Sequence, residues 1–150
     1  IADGWLPLYY SPYRQDVYAD QLVDAKEGFE ISPTVMVYIN DNLNDALYPV
    51  KAMLAFYIGG MGAAKRNFHK ELMARMGFPD EADEIQRLFL EGKRDEGIAA
   101  VPDQFADEIS LCGPLDRVKE KLKDWENSPV TSLLINGDEN LMRNMAELVL

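Results

Sequence analysis

Pro33-Thr34-Val35-Met36-Val37-Tyr38-Ile39 carries four β-branched residues, one aromatic and no charge. That composition suits a pleated strand. The lack of polar alternation predicts cover on both faces, as in a parallel sheet. Asn40, Asp41 and Asn42 end the run and offer a cap for a following helix. Working upstream, Trp5 to Tyr9 reads as a short buried strand closed by Ser11-Pro12. A helix from about Tyr13 to Lys26, with Val17, Tyr18, Gln21 and Leu22 on one face and Gly28 as its stop, joins the two. Downstream, Val130-Thr131-Ser132-Leu133-Leu134-Ile135 is a third buried strand. It is preceded by a helix with the stripe Leu115, Val118, Leu122 and Trp125, and followed by one carrying Leu141, Met142, Met145, Leu148 and Val149.

The middle of the chain reads as helical throughout. Leu43, Ala46, Leu47, Val50, Met53, Leu54 and Tyr57 keep helical spacing, with Pro49 expected to kink that helix or move its start. Gly59-Gly60-Met61-Gly62 is expected to break the chain. Ala63 to Met76 follows as a helix with Phe68, Leu72, Met73 and Met76 inward and Gly77 as its stop. Further helices are expected from Phe78-Pro79-Asp80 to about Leu90, from Lys93 to Ala100 and from Pro102 to Ile109. Leu111-Cys112-Gly113-Pro114 reads as a turn with Pro114 at a helix start. Strands separated by helices, with no hairpins between them, mean a parallel α/β sheet. Three strands are too few to close a barrel, so the sheet looks incomplete.

With 150 residues the chain has the size of one domain. Fifteen basic against 26 acidic residues give a net charge of -11. Scattered cations on so acidic a surface argue against nucleic acid and against an anionic membrane. One cysteine, Cys112, excludes a disulfide framework. No apolar run approaches a membrane span and no secretory leader is visible, so a cytoplasmic setting is expected. The start at Ile1, already inside an apolar segment, points to a processed terminus or a fragment.

Chemistry-bearing residues are sparse. His69, the one histidine, reads as a surface residue of a charged helix, and Cys112 as a packed thiol. Asp83 and Glu84 read as a solvated helix face, and no metal-ligand spacing occurs. Gly59, Gly60 and Gly62 leave two readings open. Their backbone N–H groups, with Lys65, could present themselves to an anion at the next helix start, or the glycines could allow close helix–helix approach. Ligands of parallel α/β sheets gather at the carboxyl ends of the strands. That edge would hold Tyr9 and Tyr10, Asn40 and Asp41, and Asn136 and Gly137. Tyr9 and Tyr10 read equally as the wall for a flat aromatic ligand or as core rings. Asn40-Asp41 reads more as a helix cap than as a ligand group.

Four ordered blocks now carry a resemblance. Ala2-Asp3-Gly4-Trp5-Leu6-Pro7 resembles the "ADGW" strand of the bacterial-luciferase-like superfamily of flavin- and deazaflavin-dependent oxidoreductases. Three further blocks are similar to its coenzyme F420-dependent branch. These are Tyr57-Ile58-Gly59-Gly60-Met61-Gly62 with Asn67-Phe68, then Val101-Pro102-Asp103 with Leu111-Cys112-Gly113-Pro114, and Val130 to Ile135. The resemblance implies the C-terminal part of a (β/α)8 TIM barrel, its last three strands, with a helical insertion at approximately 42–110 before the final strand, as a single partial barrel domain over 1–150. It implies hydride transfer between coenzyme F420 and a small organic substrate. The alternatives are an FMN-dependent monooxygenase and a non-catalytic fragment or partner subunit. Ring and phosphate groups, and the catalytic residues, would precede Ile1, so these residues alone would be inactive. Tyr9, Asn40, Gly59, Gly60 and Gly62 are then the cofactor-wall candidates, with no metal. A truncated barrel is also expected to associate with itself or with its missing part.

Overall fold

The computed structural model describes residues 2–61 and 66–149. These divide into two compact units, Ile1–Ala46 with Glu108–Leu150, and Leu47–Asp107. Among the described residues, the first unit holds the strands β1 Gly4–Trp5, β2 Glu30–Ile31, β3 Thr34–Ile39, β4 Ser110–Gly113 and β5 Leu134–Ile135. Its helices are a 3-10 turn at Gln15–Tyr18 running into α1 Ala19–Leu22, then α7 Leu115–Glu126 and α8 Glu139–Val149. Helix α2, Leu43–Gly60, begins in the first unit. The second contains the rest of it with α3 Phe68–Arg75, α4 Pro79–Leu90, α5 Arg94–Ala99 and α6 Asp103–Glu108 as far as Asp107.

All strand pairings are parallel. Residues 30–39 form the spine, because β2 and β3 are separated only by Ser32 and Pro33. Glu30 and Ser32 donate their N–H groups to the Asp3 and Trp5 carbonyls, so β1 lies on one side. Ile31 and Pro33 turn to the other side, where their carbonyls accept from Thr131 and Leu134. Proline lacks an N–H, yet its carbonyl still serves the ladder. Further along, β4 takes over on the side that β1 leaves. Met36 to Ile39 pair with Ser110 to Gly113, and Asn40 N–H reaches the Gly113 carbonyl at 3.0 Å.

Several sequence expectations change. The Leu111–Pro114 "turn" is a strand, fully buried along Ser110–Gly113. The first strand is shorter than Trp5–Tyr9, and the final one is regular only at Leu134–Ile135. The Tyr13–Lys26 helix contracts to the 3-10 turn and one α-turn. β3 is not covered on both faces. Val35 and Val37 are buried, whereas Thr34 and Tyr38 are exposed and Met36 is half-buried. Helix α2 starts at Leu43, so Pro49 lies inside it and does not move its start.

Aromatic packing fills the first unit. Tyr10 stacks on Tyr18 at 5.1 Å, Trp5 meets Tyr18 edge-on at 5.6 Å, and Trp125 lies 6.1 Å from Tyr10. Arg14 grips Glu108 in a two-pronged pair, its Nη2 donating to Oε1 at 2.9 Å, and so ties residues 94 positions apart. The second unit packs its helices around Leu54, Ile58, Met73, Ile85 and Phe105, each fully buried. Phe68, expected inside, is 69% exposed. The helix starts only at Phe68, with Asn67 as its cap, so the apolar phase begins at Leu72 and Met73.

Asn67 is buried and works in both directions. Its Oδ1 accepts from the His69 and Lys70 N–H groups, while Nδ2 donates to the Tyr57 and Ile58 carbonyls at 3.1 and 2.8 Å. One carboxamide thus satisfies the open start of α3 and the open end of α2. An aspartate could only accept. Asn67→Asp should therefore destabilise by about 2 kcal/mol, read by urea denaturation, from one buried and one part-buried carbonyl losing their donor. An unchanged midpoint would show that the two-ended cap contributes nothing.

Candidate functional site

The carboxyl ends of β3 and β4 meet at Asn40 and Gly113. Gly113 has φ 114°, a backbone state that side-chain-bearing residues rarely adopt. An added Cβ would also come within 3.0 Å of Arg117 Cδ and 3.4 Å of Leu43 Cδ1. Both constraints call for glycine. The sharp turn it permits drops Pro114 and α7 directly behind the strand end, and Arg117, in the first turn of α7, donates from Nη1 to the Cys112 carbonyl at 2.6 Å. A guanidinium is thereby fixed at the carboxyl end of a buried strand. Sequence reasoning missed it, because reading 111–114 as a turn hid the strand–glycine–proline–helix order that sets Arg117 there.

Asn40 is exposed, and its two halves do different things. Oδ1 accepts from Asn42 N–H at 2.8 Å, and Asn42 Oδ1 repeats the device on Asn44 N–H at 3.0 Å. These Asx turns lead the chain from β3 into α2. The Asn40 oxygen is thus committed to the turn, while its NH2 group is the half that can donate outward.

Tyr9 and Tyr10 separate in role. Tyr10 is a core ring, and burial pushes its phenol pKa up. Tyr9 is also buried, at 7% exposure, but it carries φ 48°. It is the one non-glycine residue with positive φ among those described. For a tyrosine that conformation costs on the order of 1 kcal/mol. Its carbonyl accepts from Tyr18 Oη–H at 2.8 Å, which helps to hold it there.

Of the two readings of the glycines, the described ones fit close helix–helix approach and not an anion-binding loop. Gly59 and Gly60 do not form a loop; they are the last residues of α2. N–H groups in a final helical turn bond back to carbonyls four residues earlier and cannot cradle an anion. Gly62, together with Lys65, lies outside the described residues. Close packing explains the two that are described. A Cβ on Gly59 would overlap the Phe89 side chain, and one on Gly60 would come within 2.5 Å of Phe89 Cε1. His69, in the same unit, is half-buried with its ring 4.8 Å from Tyr57, and burial holds its pKa below the usual histidine value. Cys112 is buried, its Sγ 3.4 Å from the Ala46 carbonyl. Among the described residues no group of three His, Cys, Asp or Glu is placed to hold a metal ion, and no helix is long and apolar enough to cross a membrane.

The parallel strands, the buried Ser110–Gly113 segment and the ordered motifs agree with what comparison shows. The luciferase-like monooxygenase family model matches residues 1–132. The chain belongs to that family. A Mycobacterium tuberculosis protein whose name gives it as a coenzyme F420-dependent oxidoreductase is 36% identical over 159 aligned positions, covering 99% of this chain and 46% of the relative. This luciferase-like chain therefore spans under half the length of that relative. The coenzyme F420-dependent tetrahydromethanopterin reductase of Methanopyrus kandleri superposes with a TM-score of 0.64 at 19% identity, over 93% of this chain and 40% of the other. The mixed α/β fold is thus that of a luciferase-like TIM-barrel protein.

The packing account of the glycines is testable as a cycle. Gly59→Ala alone should cost about 1–3 kcal/mol through overpacking against Phe89. In a Phe89→Ala background the same change should cost less, by at least about 0.5 kcal/mol of coupling. Equal costs in both backgrounds, from thermal or urea unfolding, would refute the contact.

Proposed function

We propose that this chain is the C-terminal part of a (β/α)8 barrel in a coenzyme F420-dependent oxidoreductase that moves hydride between the deazaflavin and a small organic substrate. The observation carrying the reading is the 36% identity along essentially the whole chain to a protein named for that cofactor, within a family whose model spans residues 1–132. The residues at the carboxyl edge suit a ring rich in carbonyl groups attached to an anionic tail. Asn40 offers an amide donor, and Arg117 a fixed guanidinium beside the close-approach Gly113. Tyr9, held in its left-handed conformation, is the proposed wall on the β1 side. The bound deazaflavin would itself carry the hydride, so the protein's task is binding, orientation and exclusion of water. That accounts for an edge built of donors without an acid–base triad.

On this reading Leu47–Asp107 is the helical insertion of the barrel, and the remaining ring contacts come from strands other than these. A small-molecule substrate and a cytoplasmic setting belong to the same proposal. So does cover for the exposed Leu6, Leu8 and Leu134, by the rest of the barrel or by a second copy.

The test is titration of the full-length protein with F420 and with FMN. Saturable binding of F420, weakened about tenfold by Asn40→Asp at unchanged stability, is the expected result, because aspartate keeps the Asx acceptor and removes the donor. No saturable F420 binding would sink the proposal. Binding of FMN in its place would assign the chain to a flavin-dependent monooxygenase.

A further inference from the structure

Asn136 is the one asparagine of the chain that a glycine follows. With Asp138 the pair makes the short turn between β5 and α8. Its carboxamide is placed differently from those of the other turn-forming residues. Asn40 and Asn42 each spend Oδ1 on an N–H two residues ahead, and Asn67 is bound through both halves of its carboxamide. Asp138 caps α8, its Oδ1 accepting from Leu141 N–H at 2.8 Å. Asn136 makes no such bond to its own turn, and among the described residues the Gly137 N–H donates to no acceptor. Commitments of this kind are made within a few residues of chain, so they belong to the turn itself and not to the rest of a barrel.

A carboxamide left free of its turn and followed by glycine is chemically labile. Asparagine is among the thermolabile side chains, and glycine brings its main-chain nitrogen to the neighbouring carboxamide with no Cβ to crowd the approach and with wide backbone freedom. Packing nevertheless calls for glycine here, since a Cβ on Gly137 would overlap the Leu141 side chain. The feature that lets α8 fold back after β5 is therefore the same one that leaves Asn136 open to attack. Asn140 and Asn144 lack this weakness, because they lie within α8, where the helix fixes the main chain that follows them.

We propose that Asn136–Gly137 is a self-modifying site, at which the asparagine deamidates through a cyclic imide. The Gly137 main-chain nitrogen attacks Asn136 Cγ. A bond forms between them as Cγ–Nδ2 breaks, the main-chain amide proton passes by way of water to Nδ2, and Nδ2 leaves as ammonia. Water then opens the imide at either carbonyl, giving aspartate or isoaspartate, with nothing oxidised or reduced. Either product sets a new carboxylate beside Asp138 and Glu139. Isoaspartate also adds one carbon to the main chain between β5 and α8, where the Asp138 cap and the Gly137–Leu141 contact set the start of the helix. The site is argued from this turn alone and does not rest on the cofactor assignment.

The experiment ages the full-length protein, folded and in urea, in 18O-labelled water. Digestion and mass spectrometry then follow each asparagine, and methylation by a protein isoaspartate methyltransferase reports isoaspartate. The expected result is that the Asn136 peptide of the folded protein loses ammonia and takes up label ahead of the Asn40, Asn67 and Asn127 peptides, with isoaspartate among its products. Gly137→Ala combined with Leu141→Ala, which clears space for the new Cβ, should remove that lead. The proposal is overturned if the Asn136 peptide is no faster than that of Asn127, or if label enters without isoaspartate, the mark of direct hydrolysis. It is also overturned if folding slows the reaction about tenfold or more relative to urea, as one hydrogen bond holding the carboxamide would do, or if the double variant reacts at the unaltered rate.

Discussion

Residues 30–39 direct their backbone groups alternately to two sides, and every other strand of the first unit depends on that alternation. Even-numbered positions serve β1 at the start of the spine and β4 at its end, while Ile31 and Pro33 serve residues 131–134. A parallel ladder supplies no hairpin to fix register locally. Register here comes instead from the side-chain period of two. A slip by one residue would move Val35 and Val37 out of the core and Thr34 and Tyr38 into it. The Arg14–Glu108 pair and the Tyr10–Tyr18–Trp125 rings brace the same arrangement from positions far apart in the chain.

The spine also places the chemistry. Its last residue, Ile39, pairs with Gly113, so the two strand ends finish level with each other. From that point one chain turns through Asn40 and Asn42 into α2, and the other through Gly113 and Pro114 into α7. A carboxamide and a guanidinium become neighbours of one edge because two backbone turns start there. The same spine exposes Thr34 and Tyr38 on its other face, with Met36 half-buried between them.

Much of this was legible in the sequence, and the failures have physical causes. The Pro33–Ile39 strand and the helices at Pro79–Leu90 and Leu115–Glu126 follow from local composition and spacing. Ser110–Gly113 was hidden because four residues ending in Cys-Gly-Pro carry turn chemistry, and only a partner 74 positions earlier, such as Met36 for Ser110, makes them a strand. Gly59 and Gly60 suggested a loop because glycine is an ambiguous punctuator. What requires them is Phe89, some 30 residues away, which no local pattern reveals. Phe68 was misplaced because the true helix start depends on Asn67 reaching back to the Tyr57 and Ile58 carbonyls. The edge position of Asn40 was readable. Its division into a committed oxygen and an outward amide was not, since that rests on the Asn42 N–H bond.

The central claim is that the level ends of β3 and β4 form part of the deazaflavin site. A structure of the full-length protein with F420 bound tests it most directly. The account predicts the ring or its tail against the carboxyl ends of these strands, within hydrogen-bonding reach of the Asn40 amide or the Arg117 guanidinium. A cofactor bound at the amino ends of the strands, or on the Leu47–Asp107 helices, would contradict it.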